Sequence, residues 1–138
     1  MAMLKVSADL FQVPAIREFV ALTGHGLGLS ESVIWDLKLA VDEACTNVIR
    51  HAYRGQGGEL EIAIERVECG IRVVIHDWGA PFDPQAIPVP NLMLPLEGRP
   101  LGGLGLFLMR RVMDRVEYHF DEQQGNTLTM IKRVNGRE

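Results

Sequence analysis

The stretch DEACTNVIRHAY, Asp42 to Tyr53, reads as helix, yet it sets Glu43, Asn47 and His51 at successive i, i+4 positions. Such positions share one helix face. Ala40, Ala44 and Val48 flank the first two, so this polar row borders the core. A half-buried carboxylate tends toward a raised pKa, and charged groups at such places are usually paired or functional. A carboxylate beside an amide oxygen suits a hard cation that takes oxygen ligands. That is the equipment of magnesium–phosphate chemistry. Taken alone, a Glu–Asn pair is more often a solvated helix face.

Two further stretches carry groups of the same use. In HDWGAPFDP, Asp77 sits where the apolar run RVVI ends, and Gly79 follows. A carboxylate at a strand end can accept hydrogen bonds from a ligand, and a neighbouring glycine lets that ligand approach the backbone. By itself Asp-x-Gly is an ordinary turn. In GRPLGGLGLFLMRR, Gly102, Gly103 and Gly105 precede an apolar helix. A glycine-rich turn at a helix N-terminus exposes N–H groups and favours phosphate. No Gly-Lys-Ser/Thr follows, so this is not a Walker A loop, and the spacing does not fit a Rossmann fingerprint.

Hydrophobic pattern and turn residues outline the scaffold around these groups. MLKVSA alternates as a strand. PAIREFVALTGHGLG has helical spacing, with Pro14 in its first turn and Gly24, Gly26 and Gly28 predicted to end it. Ser30 is placed to N-cap a helix whose core face is Val33, Leu37, Val41, Ala44 and Val48. ELEIAIERV and GIRVVIHDWG read as paired strands. APFDPQAIPVPNLMLPLEGRP holds six prolines in 21 residues, which excludes a long helix or central strand and predicts a long loop. Its part from Pro84 to Pro100 is expected to act as a lid, mobile without ligand and ordered by it. LGGLGLFLMRRVMDRV returns to helix, and EYHFDEQQGNTLTMIKR closes the chain as two strands around a turn. This order predicts an α+β fold, with helices on one face of a largely antiparallel sheet.

Bulk properties narrow the function classes. The 138 residues fit a single domain, 1–138, and 47 % hydrophobic with 23 % charged residues is enough for a real core. A net charge of −4 and a pI near 5.6 speak against nucleic-acid binding. Cys45 and Cys69 form no ligand cluster, which argues against zinc or a disulfide scaffold and predicts two buried or half-buried thiols. No apolar stretch reaches the ~18 residues of a membrane span, so a cytoplasmic protein without membrane partners is expected. Trp35, Met109 and Met113 are assigned to the core and Arg110–Arg111 to a solvated face.

The three motifs in this order resemble the GHKL ATP-binding superfamily of gyrase, the ninety-kilodalton heat-shock chaperone, histidine kinases and mismatch-repair ATPases. Glu43 and Asn47 are similar to its N box, Asp77 and Gly79 to its first glycine box, and Gly103 and Gly105 to its second. Within it, DEACTNVIRHAY, DWGAPFDP and GGLGLFLMRRVMD look most like the anti-sigma-factor serine kinases of bacterial partner-switching systems, over about Asp36 to Ile131. The resemblance implies a Bergerat-type two-layer α/β sandwich that binds ATP with Mg²⁺. It implies that Asn47 coordinates the metal, Glu43 is the base, Asp77 accepts the adenine amino group, and Gly79 leaves room for the base. Gly102, Gly103 and Gly105 would let the lid close. Thr127 resembles the threonine that supports the adenine-binding aspartate. Arg99 is the cationic candidate for the γ-phosphate, although Leu101 stands directly before GGLG. His51 is read as structural. The implied activity is a serine/threonine protein kinase that phosphorylates an anti-sigma-factor antagonist and binds a sigma factor, usually as a homodimer. The alternative is a nucleotide-gated partner-binding module with little or no catalysis, against which the retention of Glu43 argues.

Overall fold

The computed structural model describes residues 1–86 and 105–134. Its elements run β1 (Ala2–Ser7), α1 (Val13–Gly26), α2 (Glu31–Asn47), β2 (Glu59–Val67), β3 (Gly70–Asp77), α3 (Gly105–Val112), β4 (Arg115–Asp121) and β5 (Gly125–Arg133). The strands form one sheet in the order β1-β2-β3-β5-β4, with every neighbouring pair antiparallel. The helices cover one face, giving the two-layer α+β sandwich that the sequence predicts. None of the described helices is long and apolar enough to cross a membrane.

Strand alternation decides what faces the helices. Leu60, Ile62 and Ile64 of β2, Ile71, Val73 and Ile75 of β3, and Leu128 and Met130 of β5 are buried on the inner face. Val33, Leu37, Val41, Ala44 and Val48 of α2 meet them, with Ile16 and Val20 of α1 and Met109 of α3. Ser30 caps α2 as its residue type predicts, its Oγ accepting from Val33 N at 3.2 Å. Trp35 departs from its core assignment. It is 68 % exposed, because the inward stripe takes Val33, Ile34 and Leu37 and turns position 35 to solvent. Met113 is buried, as assigned, and Cys45 is buried while Cys69 is exposed.

The first helix ends at Gly26, among the glycines predicted to end it, with Gly24 inside its last turn. A Cβ at position 24 would lie 2.6 Å from Ile34 Cγ1, so this glycine serves the close contact of α1 with α2. The last helix ends at Val112 rather than continuing to Val116. The chain enters β4 at Arg115 because Arg115 and Val116 pair with Ile131 and Met130 of β5.

Gly24→Val should destabilise the fold by about 1–3 kcal/mol through overpacking against the stiff, β-branched Ile34. A urea titration checks this: the midpoint should fall at an unchanged slope.

Candidate functional site

The inner stripe of the sheet ends in polar residues. Along β3 and β5 the apolar pairs Val73–Met130 and Ile75–Leu128 give way to Asp77–Asn126 in the same register. Both polar residues are buried, each 3 % exposed. Asp77 Oδ1 accepts from Asn126 Nδ2 and from Gly79 N, each at 2.9 Å, and Asn126 Nδ2 also donates to Gly79 O at 2.9 Å. Oδ1 is thus fully engaged. Oδ2 receives no hydrogen bond among the described residues, which leaves it as the acceptor oxygen available to a ligand. Burial raises the Asp77 pKa; the bonds from Asn126 and Gly79 and the His76 charge only partly offset it.

Asn126, beside Asp77, is a residue that the motif resemblance does not point to, whereas the resemblance selects the neighbouring Thr127. Thr127 pairs with His76 and lies on the opposite face of β5 from the buried Asn126. Counting by two from the apolar Leu128 and Met130 points Asn126 inward, so strand alternation alone is a signal that finds it.

The helix side of the site is built by α2. Asn47 is 3 % exposed and sits among Ala44, Cys45 and Val48. Its Nδ2 has no hydrogen-bond partner among the described residues. Glu43, one turn earlier, is half-buried, and its pKa is raised by that burial and then by the Asp42 charge, with Arg50 opposing. The first residue of α3 rests on both: a Cβ at Gly105 would lie 3.0 Å from Asn47 Nδ2 and 3.2 Å from Glu43 Oε2. Any other residue there would push the Asn47 and Glu43 side-chain ends back by a few tenths of an ångström. The other end of α3 is fixed by Lys132, whose Nζ donates to Val112 O at 2.8 Å and pairs with Asp36 Oδ2 at 3.0 Å. Arg99, Gly102 and Gly103 lie outside the described residues, as does the expected lid beyond Ala86.

Aromatic rings span the ground between the two halves. Phe82 meets Tyr118 and Phe120 edge-on at 6.1 Å each, Tyr118 stacks on Phe120 at 5.9 Å, and His51 lies 5.7 Å from Phe82. Phe120 pairs with Asn126 in the sheet. The Tyr118 hydroxyl lies beside the Asn47 amide without forming a well-aligned hydrogen bond, and burial pushes its pKa up to about 12. Burial and then the Arg50 charge lower the His51 pKa, which keeps the ring neutral at pH 7 and agrees with a packing role. A cavity of about 240 Å³ opens beside Gly79, Asn126, Gly125 and Trp78. It is smaller than the roughly 300–1,000 Å³ of small-molecule pockets, so it suits one end of a ligand.

The donor set fits a magnesium–nucleotide complex. Among the described residues no group of three or more His, Cys, Asp or Glu could cage a metal. Magnesium does not ask for one, since it takes one or two protein oxygens with water and substrate phosphates. The Asn47 amide beside Glu43 would supply that protein contact.

A family model for the histidine kinase-like ATPase domain matches residues 6–132. The chain belongs to this family. Serine-protein kinases RsbW from Bacillus thuringiensis (strain Al Hakam) and Bacillus cereus (strain 03BB102) are each 32 % identical to it over 135 residues, 95 % of this chain and 83 % of theirs. A crystal structure of the RsbU and RsbW domains of a Mycobacterium tuberculosis protein superposes with a TM-score of 0.64 at 16 % identity. It covers 98 % of this chain, while this chain spans 35 % of that one. That likeness is one of fold.

Because the folded chain raises the Asp77 pKa, it binds this proton more tightly than the unfolded chain does. The contribution of Asp77 to stability therefore falls as pH rises from the unfolded carboxylate value through the folded one. Asp77→Asn removes that ionisation while keeping an oxygen for Gly79 N and Asn126. At pH 7 the variant should be at least as stable as the parent, with the gap closing on acidification, as urea titrations at several pH values would show.

Proposed function

We propose that this chain is an ATP-dependent serine/threonine protein kinase that also acts as an anti-sigma factor. Its protein substrate is an anti-sigma-factor antagonist, its second partner a sigma factor, and its working form a cytoplasmic homodimer of one domain, 1–138. The observation that carries the reading is the contact of Gly105 with Glu43 and Asn47, on the same sheet end as an Asp77 oxygen without a donor among the described residues. The relatives named serine-protein kinase support the reaction class.

Asp77 Oδ2 would accept the adenine amino group, and the backbone of Gly79 would lie against the base. Asn47 would hold the cation; Mg²⁺ supplies charge neutralisation and alignment of the phosphates. The start of α3, with Gly102, Gly103 and Arg99 before it, would face the phosphates. Glu43 takes the proton of the acceptor hydroxyl as the Oγ–P bond forms and the bond from the γ-phosphorus to the bridging oxygen breaks, releasing ADP. The burial that raises the Glu43 pKa makes its carboxylate a stronger base.

Labelled γ-phosphate transfer to a captured partner tests the reading. Glu43→Gln should still bind ATP yet transfer ~10²–10⁴-fold more slowly, the usual worth of a positioned base. Asn47→Ala should lose the magnesium dependence of ATP binding. Asp77→Asn should weaken ATP by roughly ten- to a hundredfold, as expected for one hydrogen bond to a charged group. Wild-type transfer rates in Glu43→Gln would remove Glu43 as base. A parent protein that binds ATP and partner but transfers nothing would leave the gated binding module instead.

A further inference from the structure

Beyond Asn47 the helix does not continue as an α-helix. Val48–Ala52 form a π-helical turn, and the Tyr53 amide donates to Val48 O at 3.0 Å. The extra residue in this turn shifts the phase of Ala52 and Tyr53 around the helix axis. π-turns cost hydrogen-bond geometry and occur frequently at functional sites. Here the two residues at its end, Ala52 and Tyr53, both meet the turn after β3. Ala52 O accepts from Ala80 N at 2.9 Å. A Cβ at Gly79 would lie 2.8 Å from that same carbonyl oxygen.

Tyr53 is used more fully. Its hydroxyl donates to Glu59 O at 2.7 Å and accepts from Trp78 N at 2.9 Å. The first bond commits the proton to the strand β2, so a lone pair is left for the Trp78 amide. Its ring lies over Gly58, where a Cβ would fall 2.2 Å from Cε1, so the ring is seated as well as the hydroxyl. The Trp78 amide belongs to the peptide that joins Asp77 to Trp78. Holding that peptide plane fixes the backbone from which the Asp77 carboxylate springs. The next amide, Gly79 N, then reaches Asp77 Oδ1.

We propose that Tyr53 is a positioning residue for base recognition. Through the Trp78 amide it aims the free oxygen of Asp77, and it ties that aim to the helix that carries Asn47. The inference rests on the reading of Asp77 as the acceptor for an adenine amino group. It assigns the Tyr of the helix end a role in selecting a 6-amino purine over a 6-oxo purine. A tyrosine that merely stitched β2 to the helix would affect all nucleotides alike.

Tyr53→Phe keeps the ring over Gly58 and removes only the hydroxyl. Two measurements are made on the full chain. Amide exchange at Trp78 is followed without nucleotide, and calorimetry gives the affinities of magnesium-loaded ATP and inosine triphosphate, which has a carbonyl in place of the amino group. The expected result is faster exchange at Trp78 and an ATP affinity lowered by roughly three- to tenfold, the scale of one lost hydrogen bond. Inosine triphosphate should change much less, so the preference for ATP narrows. Equal losses for both nucleotides, or an unchanged preference, would overturn the role of Tyr53 alone. A parent protein that does not distinguish the two nucleotides would overturn the Asp77 reading and this inference with it.

Discussion

The site depends on how closely the end of the second helix approaches the end of the third strand. At Gly79 the backbone lies against the Cβ, carbonyl carbon and carbonyl oxygen of Ala52, all within 2.8 Å of where a side chain would begin. No other residue type fits there without parting the two elements. This contact sets the distance between the Asp77 carboxylate and the Asn47 amide. The neighbouring bond from Ala80 N to Ala52 O makes the approach directional as well as close. Both halves of a nucleotide would be held by two elements that cannot slide past one another.

That approach brings polar groups into a place where the fold would otherwise put aliphatic ones. Asn47, Asp77 and Asn126 are the buried polar residues among the described part of the chain. Asp77 and Asn126 offset one another's desolvation through their hydrogen bonds, whereas the Asn47 nitrogen goes without one. An unmet buried donor costs on the order of 1–3 kcal/mol, so its position needs a reason other than stability. Rows of apolar pairs end in a polar pair, facing a helix that turns an amide inward, so the core is interrupted at this one end of the sheet.

Most of the architecture is legible from period and punctuation. The two-residue alternation of β2 and β3, the Ser30 cap and the inward stripe of α2 lie where their residue types place them. The departures have physical causes. The third helix ends at Val112 although the apolar pattern runs on, because Arg115 and Val116 pair with β5. Hydrophobicity alone sends Trp35 inward, while its place on the helix wheel sends it outward. Motif resemblance selects Thr127, whereas strand alternation selects Asn126. The roles of Tyr53 and of the Phe82–Tyr118–Phe120 cluster are not legible at all. They depend on residues distant in sequence meeting at the sheet end, which no local pattern encodes.

The two cysteines differ in a way that has a practical side. Cys45 is fully enclosed in α2, two residues before Asn47, and burial raises its thiol pKa well above the ordinary value. A thiolate there is both scarce and out of reach of reagents. Cys69 is exposed in the turn between β2 and β3, at the opposite end of the third strand from Asp77. Eight residues of strand at about 3.3 Å each put the two more than 20 Å apart. A maleimide dye would therefore mark the native chain at one defined point, far enough from the Asp77 carboxylate to leave it untouched. The unaltered sequence already carries its own attachment point for a fluorescent or spin probe.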